Sequence, residues 1–120
     1  MLNQEDFNEM IQFFFTLQLL NKLYHWNTTS FARHKATDGF GSQFSDLVDK
    51  FVEVVIGRYK IKPDIYKINL NHEYLTDVGI VNLFEQTRKY LGKISNIELL
   101  NIRDEMLTEV NKMLYLFTLK

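Results

Sequence analysis

Two histidines and two carboxylates in the first half of the chain could hold a metal ion. His25 and His34 stand nine residues apart in the run LYHWNTTSFARHK, and Asp49 and Glu53 follow, four residues apart. Cysteine is absent, so neither a disulfide framework nor a thiolate site is available, and a metal must be taken by nitrogen and oxygen. A two-metal site inside a helical bundle uses Glu-x-x-His on two of its helices. None of His25, His34 and His72 has a glutamate three positions before it. Asp49 and Glu53 share a helix face and, at about 100° per residue, lie roughly 110° and 150° from the centre of that helix's apolar stripe. They point out of their own bundle, so the groups completing a site with them must come from a second subunit.

Each residue also has a plainer role. His25 at a helix C-terminus gains from the helix dipole without binding metal. His34, between Arg33 and Lys35, suits an exposed loop, and Asp38 suits a helix N-cap. Asp49, Lys50 and Glu53 suit a solvated helix face, and His72 beside Glu73 reads as structural. Only the joint spacing favours the metal.

The elements that must position these groups are four helices. The first runs from Asn3, its N-cap, to about Thr28, with Glu5 and Asp6 in the first turn. Phe7, Met10, Ile11 and Phe14 form one stripe on it, and Phe13, Leu17, Leu20, Tyr24 and Phe15, Leu19, Leu23, Trp26 form two more. That is more apolar surface than one bundle covers, which predicts at least a dimer. The second helix, capped by Thr37 or Asp38, carries the stripe Phe44, Leu47, Val48, Phe51, Val52, Val55, Ile56 and Tyr59. The third follows Thr76 and Asp77, uses Ile80, Leu83, Phe84, Tyr90 and Leu91, and ends near Gly92. The fourth opens on a capping box, Ser95 with Glu98, and continues through Leu99, Ile102, Met106, Val110, Met113 and Phe117. Between the second and third lies Lys60 to Leu75, with the only proline, Pro63; its length predicts a short helix near Ile65 to Tyr74. The expectation is an all-α chain, residues 1–120 forming one four-helix bundle of the ferritin-like kind, in which one longer connection joins helices 2 and 3.

Composition narrows the partners. Fourteen basic and fifteen acidic side chains leave a formal charge of −1 with no lysine-rich tail, so strong DNA binding is not expected. Gln12, Gln18, Asn21 and Lys22 interrupt the apolar first third and no basic segment precedes it. A signal peptide or membrane span is therefore not expected, nor is secretion.

The stretch LQLLNKLYHWNTTSFARHKATDGFGSQFSDLVDKFVE, residues 17–53, resembles the first two helices of Dps proteins, the small ferritin-like iron-oxidising family. RDEMLTEVNKMLYLF is similar to that family's last helix, and the whole resembles short Dps-like proteins of large DNA viruses and phages. The resemblance implies an iron site between two-fold related subunits, His25 and His34 coming from one and Asp49 and Glu53 from its mate. It implies Asp38 as an additional residue beside the site, Trp26 packing over it, a possible ferroxidase activity, and a cytoplasmic or virion-associated home. Two departures accompany it: the stretch from His25 to His34 is shorter than in typical Dps chains, and extended basic tails are absent. The alternative expectation keeps the fold without the chemistry, as a structural or interaction protein such as a virion component, since function belongs to the site and not to the fold.

Overall fold

The computed structural model describes residues 2–64, 68 and 70–119, which contain four α-helices and no strand. Helix α1 spans Gln4–Asn27, α2 Phe31–Tyr59, α3 Asp77–Gly92 and α4 Leu100–Leu116, with 3₁₀ turns at His72–Leu75 and Ile97–Leu99. No helix among the described residues is long and apolar enough to cross a membrane.

Local chemistry sets most of the helix ends. The Asn3 side chain accepts from the Asp6 N–H and opens α1, and the Thr76 hydroxyl accepts from the Gly79 N–H and opens α3. Both relieve a backbone donor that the first helical turn leaves unpaired. Helix α2 begins earlier than its sequence suggests. Its cap is Ser30, whose hydroxyl accepts from the Arg33 N–H, so Thr37 and Asp38 lie within the helix and cap nothing. The chain closes α2 with Lys60 in the left-handed region, φ 59 and ψ 35, where its N–H reaches the Ile56 carbonyl. The predicted capping box of α4 is not formed: Glu98 accepts from Arg58 at 2.7 Å, and the residues at the N-cap positions, Asn96 and Leu99, make no side-chain capping bond. Of the short helix expected near Ile65 to Tyr74, residues 65–67 and 69 lie outside the described residues, and the regular piece seen is the turn at His72–Leu75.

Packing follows the predicted stripes. Phe7, Met10, Ile11, Phe14, Leu17 and Leu20 of α1 are buried, as are Phe44, Val48, Phe51 and Val55 of α2. Ile80, Leu83, Phe84 and Leu91 of α3 meet Leu99, Ile102, Met106, Val110, Met113 and Phe117 from the fourth segment. Phe14 presents its edge to Phe44 and Phe51, and Phe84 lies between Phe40 and Phe117. At about 1.5 to 3 kcal/mol for each fully buried large side chain, this core is the main stabilising term. The third stripe of α1 is not covered: Phe15 is 41% exposed, Leu19 44% and Trp26 67%.

Contacts at the two ends give the topology. At one end Tyr24, Arg33, Asp77 and Phe117 are hydrogen-bonded together, which gathers the end of α1, the starts of α2 and α3, and the end of α4. At the other, Arg58 meets Glu98 and the Asn96 amide donates to the Tyr59 hydroxyl. The helices therefore run up, down, down, up. Helix α1 touches α2 and α3, and α4 touches the same two, so α1 with α4 and α2 with α3 occupy the diagonals. Every adjacent pair is then antiparallel, the orientation in which helix dipoles attract. The connection from α2 back to the start of α3 makes that arrangement possible.

Candidate metal-binding site

The turn between α1 and α2 comprises only Thr28, Thr29 and Ser30. Such a tight hairpin brings the last turn of α1 against the first turns of α2. His25 and His34 consequently stack, ring centroids 3.9 Å apart and planes 15° from parallel. His25 is buried, whereas His34 is exposed.

Each ring is held by the other residue's backbone. His25 Nδ1 lies 2.7 Å from the His34 carbonyl oxygen, and His34 Nδ1 lies 2.9 Å from the His25 carbonyl oxygen. A carbonyl oxygen only accepts, so both Nδ1 atoms carry the proton and donate. The Thr37 hydroxyl, itself donating to the Arg33 carbonyl at 2.7 Å, is a second acceptor for His25 Nδ1 at 3.1 Å. In neutral imidazoles this fixes the tautomer, leaving Nε2 of each ring with its lone pair. Among the described residues no hydrogen bond reaches either Nε2. An Nδ1–H bonded to a carbonyl, with Nε2 open, is the usual support for a metal-ligating histidine.

Arg33 fixes the frame around this pair. One terminal nitrogen donates to the Tyr24 hydroxyl at 2.9 Å and the Asp77 carbonyl at 3.0 Å; the other donates to the Phe117 carbonyl at 3.0 Å. Its guanidinium also lies over the Phe117 ring, 4.9 Å from the centroid. Buried Tyr24 donates in turn to the Asp77 carboxylate at 2.7 Å. Burial pushes the Tyr24 phenol above its ordinary range, the bond to Asp77 adds to the rise, and bonds from Thr28 and Arg33 oppose it. Nothing local in the sequence marks Arg33, because the carbonyls it reaches belong to residues 77 and 117.

The predicted carboxylates divide. Asp38, exposed on α2, stands one turn beyond His34 on the same helix face, whereas Asp49 and Glu53, also exposed, lie farther along: the step from His34 to Asp49 spans about 22 Å at roughly 1.5 Å per residue. The subunit thus unites His25 with His34 but leaves Asp49 and Glu53 far from both. Among the described residues of one chain, no group of three or more histidine, aspartate or glutamate side chains is placed to hold a metal. Trp26 is exposed, with the Lys22 ammonium 5.7 Å from its ring centroid.

Residues 25 to 117, well over half of the chain, match a family described as a family of unknown function, DUF5856. The chain belongs to it. The match runs from His25 onward and includes His34, Asp49 and Glu53. No curated protein and no solved structure matches the chain.

Proposed function

We propose that this DUF5856 member is a Dps-like, iron-binding protein on a ferritin-like bundle, with a metal site shared between two subunits. The observation that carries this is the His25–His34 pair, in which both Nδ1 protons are committed to backbone carbonyls and both Nε2 atoms are left open. The single crossover between α2 and α3 supports the ferritin-like assignment. His25 and His34 would supply nitrogen, and Asp49 and Glu53 of a second copy would supply oxygen, a donor set suited to ferrous iron. The carbonyl bonds at Nδ1 would hold each ring and raise its basicity as a ligand. If an oxidant reaches bound ferrous ions, the same residues would serve a ferroxidase.

A second reading drops the chemistry and keeps a structural or interaction protein. It is favoured by the stretch from His25 to His34, shorter than in typical Dps chains; the separation of the carboxylates from the histidines within one subunit fits both readings. Anaerobic calorimetric titration with ferrous ion separates the two. The metal site predicts saturable binding in the parent and its loss in the Asp49→Asn, Glu53→Gln double variant. These exposed changes should move stability by no more than about 0.5 kcal/mol. Equal, negligible binding by both would leave the structural reading. A structure of the assembly with Asp49 and Glu53 of every neighbour more than about 8 Å from the histidines would also end the metal reading, since ligand bonds are near 2 Å.

A further inference from the structure

We propose that the tip of the α1–α2 hairpin, with the helix ends gathered beside it, docks on an anionic lipid surface, its exposed aromatic rings entering the headgroup layer without spanning the bilayer. The proposal is independent of the metal-site reading and uses neither histidine.

Charge along the hairpin is one-sided. From Met10 to Thr37 the chain has no aspartate or glutamate, whereas Lys22, Arg33 and Lys35 are basic. Inside that stretch, residues 23–32 contain no lysine, arginine, aspartate or glutamate. They form the end of α1, the turn and the start of α2. The tip is therefore a segment without strong charges, set between basic flanks. Two of its three aromatic residues face outward: Trp26 is 67% exposed and Phe31 75%, while Tyr24 is buried. Large rings gain much by leaving water, and the subunit gives these two little of that gain.

Other exposed apolar residues lie at the same end. Val78 is the second residue of α3, Tyr115 stands in the last turn of α4 and Leu119 just beyond it, and all three are exposed. Arg33 binds the carbonyls of Asp77 and Phe117, which places these residues beside the hairpin tip. Five of the nine large apolar side chains exposed among the described residues thus belong to one end of the bundle. Exposed apolar residues scattered singly need no explanation, but their concentration in one place marks a contact surface.

The lysines decide what that surface meets. The Lys22 ammonium lies 5.7 Å from the Trp26 ring centroid, and the Lys35 ammonium 5.6 Å from that of Phe31. Each exposed ring therefore has a cation beside it. Such a pair suits the edge of a bilayer, where the ring enters the apolar boundary and the long side chain keeps its charge at the level of the phosphates. Lysine is depleted from the core of protein interfaces, whereas an anionic lipid surface attracts it. The carboxylates at this end interfere little. Asp77 accepts from Tyr24 and lies 4.0 Å from Arg33. Glu73, exposed on the 3₁₀ turn before α3, is set against Lys22 and Lys35, and Asp38, the first acidic residue on α2, lies about 10 Å past Phe31 along the helix.

Trp26 is the only tryptophan, so its emission reports docking directly. The full chain is mixed with vesicles of three parts phosphatidylcholine to one part phosphatidylserine, and with vesicles of phosphatidylcholine alone. With the mixed vesicles, Trp26 emission should shift to the blue and the chain should sediment with the lipid. Binding to phosphatidylcholine alone should be about tenfold weaker or less. Phe31→Ser, and Lys22→Gln with Lys35→Gln, should each weaken binding to the mixed vesicles by about tenfold or more. Ile97→Ser, at an equally exposed site at the opposite end, should leave it unchanged. All these side chains are exposed, and circular dichroism checks that each variant keeps its helices. Unshifted emission without sedimentation on the mixed vesicles would overturn the proposal, as would undiminished binding in Phe31→Ser or an equal loss in Ile97→Ser. Emission already blue without lipid, unmoved by vesicles and shifted to the red by Phe31→Ser, would show that protein covers the tip and would overturn it too.

Discussion

Replacing Arg33 by methionine keeps much of the side chain's apolar length and removes its guanidinium fork. Three hydrogen bonds disappear, to the Tyr24 hydroxyl and to the carbonyls of Asp77 and Phe117. Bonds from a charged donor are worth about 1.5 to 3 kcal/mol, but each acts here at about 0.5 to 1 kcal/mol, the low side of an ordinary net hydrogen bond. The Asp77 carbonyl begins a helix and keeps an intrahelical partner, and Tyr24 still donates to the Asp77 carboxylate. Losing the guanidinium over the Phe117 ring removes about 0.5 to 1 kcal/mol more. The expected loss is about 3 kcal/mol, or roughly 10 to 15 °C in melting temperature for a domain of this size. Arg33→Lys should recover little, because a single ammonium cannot reproduce the planar fork. Urea unfolding followed by far-ultraviolet circular dichroism measures the difference. A loss below about 0.5 kcal/mol, the level of an ordinary surface change, would refute the view that Arg33 ties the four helix ends together.

Other perturbations have defined outcomes. Burial, helped by nearby Glu9 and Asp6, pushes Tyr90 up to about 12, so folding retains a proton that the unfolded chain releases near 10.0. Stability should therefore decline as pH rises from the unfolded value toward the folded one, and Tyr90→Phe should soften that decline in alkaline denaturation curves. The hydrogen bond from Arg58 holds the Glu98 carboxyl below the usual glutamate range, so its small contribution should be present above that range and fade as pH falls through the lowered value. Acid titrations of the parent and Glu98→Gln should converge at low pH, and a gap that widens on acidification would contradict this. Gly79→Ala should destabilise by about 1 to 3 kcal/mol in thermal melts, because the added Cβ runs into the backbone carbonyl of Glu73. His25→Ala should cost more than an exposed substitution, since it removes a buried ring and leaves the His34 carbonyl without that donor; parent-like melting would count against the clasp.

How far the sequence revealed this subunit depended on the range of the interactions concerned. The buried stripes of α3 and α4 were legible because periodicity and burial are one signal read twice. The start of α2 was not. Thr37 and Asp38 read as the cap, yet the helix runs through them and on through Gly39 and Gly41. Each glycine costs it about 1 kcal/mol, offset by burying Phe40 and Phe44. Ser30 three residues before Arg33 was the available cap signal. Its consequence is large, because two extra helical turns take His34 out of a loop and lay it on His25. The capping box at Ser95 and Glu98 lost to a partner forty residues away in sequence, Arg58. The metal candidates were nameable from type and spacing, but the bonds at Nδ1 that keep both rings in one tautomer depend on backbone carbonyls, which sequence patterns do not display.

The crossover that returns the chain from α2 to α3 also divides the subunit into two hairpins of comparable weight. Among its described residues, from Lys60 to Thr76, none is fully buried, and Ile61, Tyr74 and Leu75 only lean against the core. The peptide link there sets topology more than it supplies cohesion, which resides in the packing of α1 and α2 against α3 and α4. Severing it should leave two fragments that recognise each other through a preformed apolar seam, with Arg33 as the latch at one end and Arg58 at the other. The cost would be mainly the entropy of bringing two chains together. Such a fold lends itself to fragment complementation, in which helical signal returns on mixing two separately expressed hairpins.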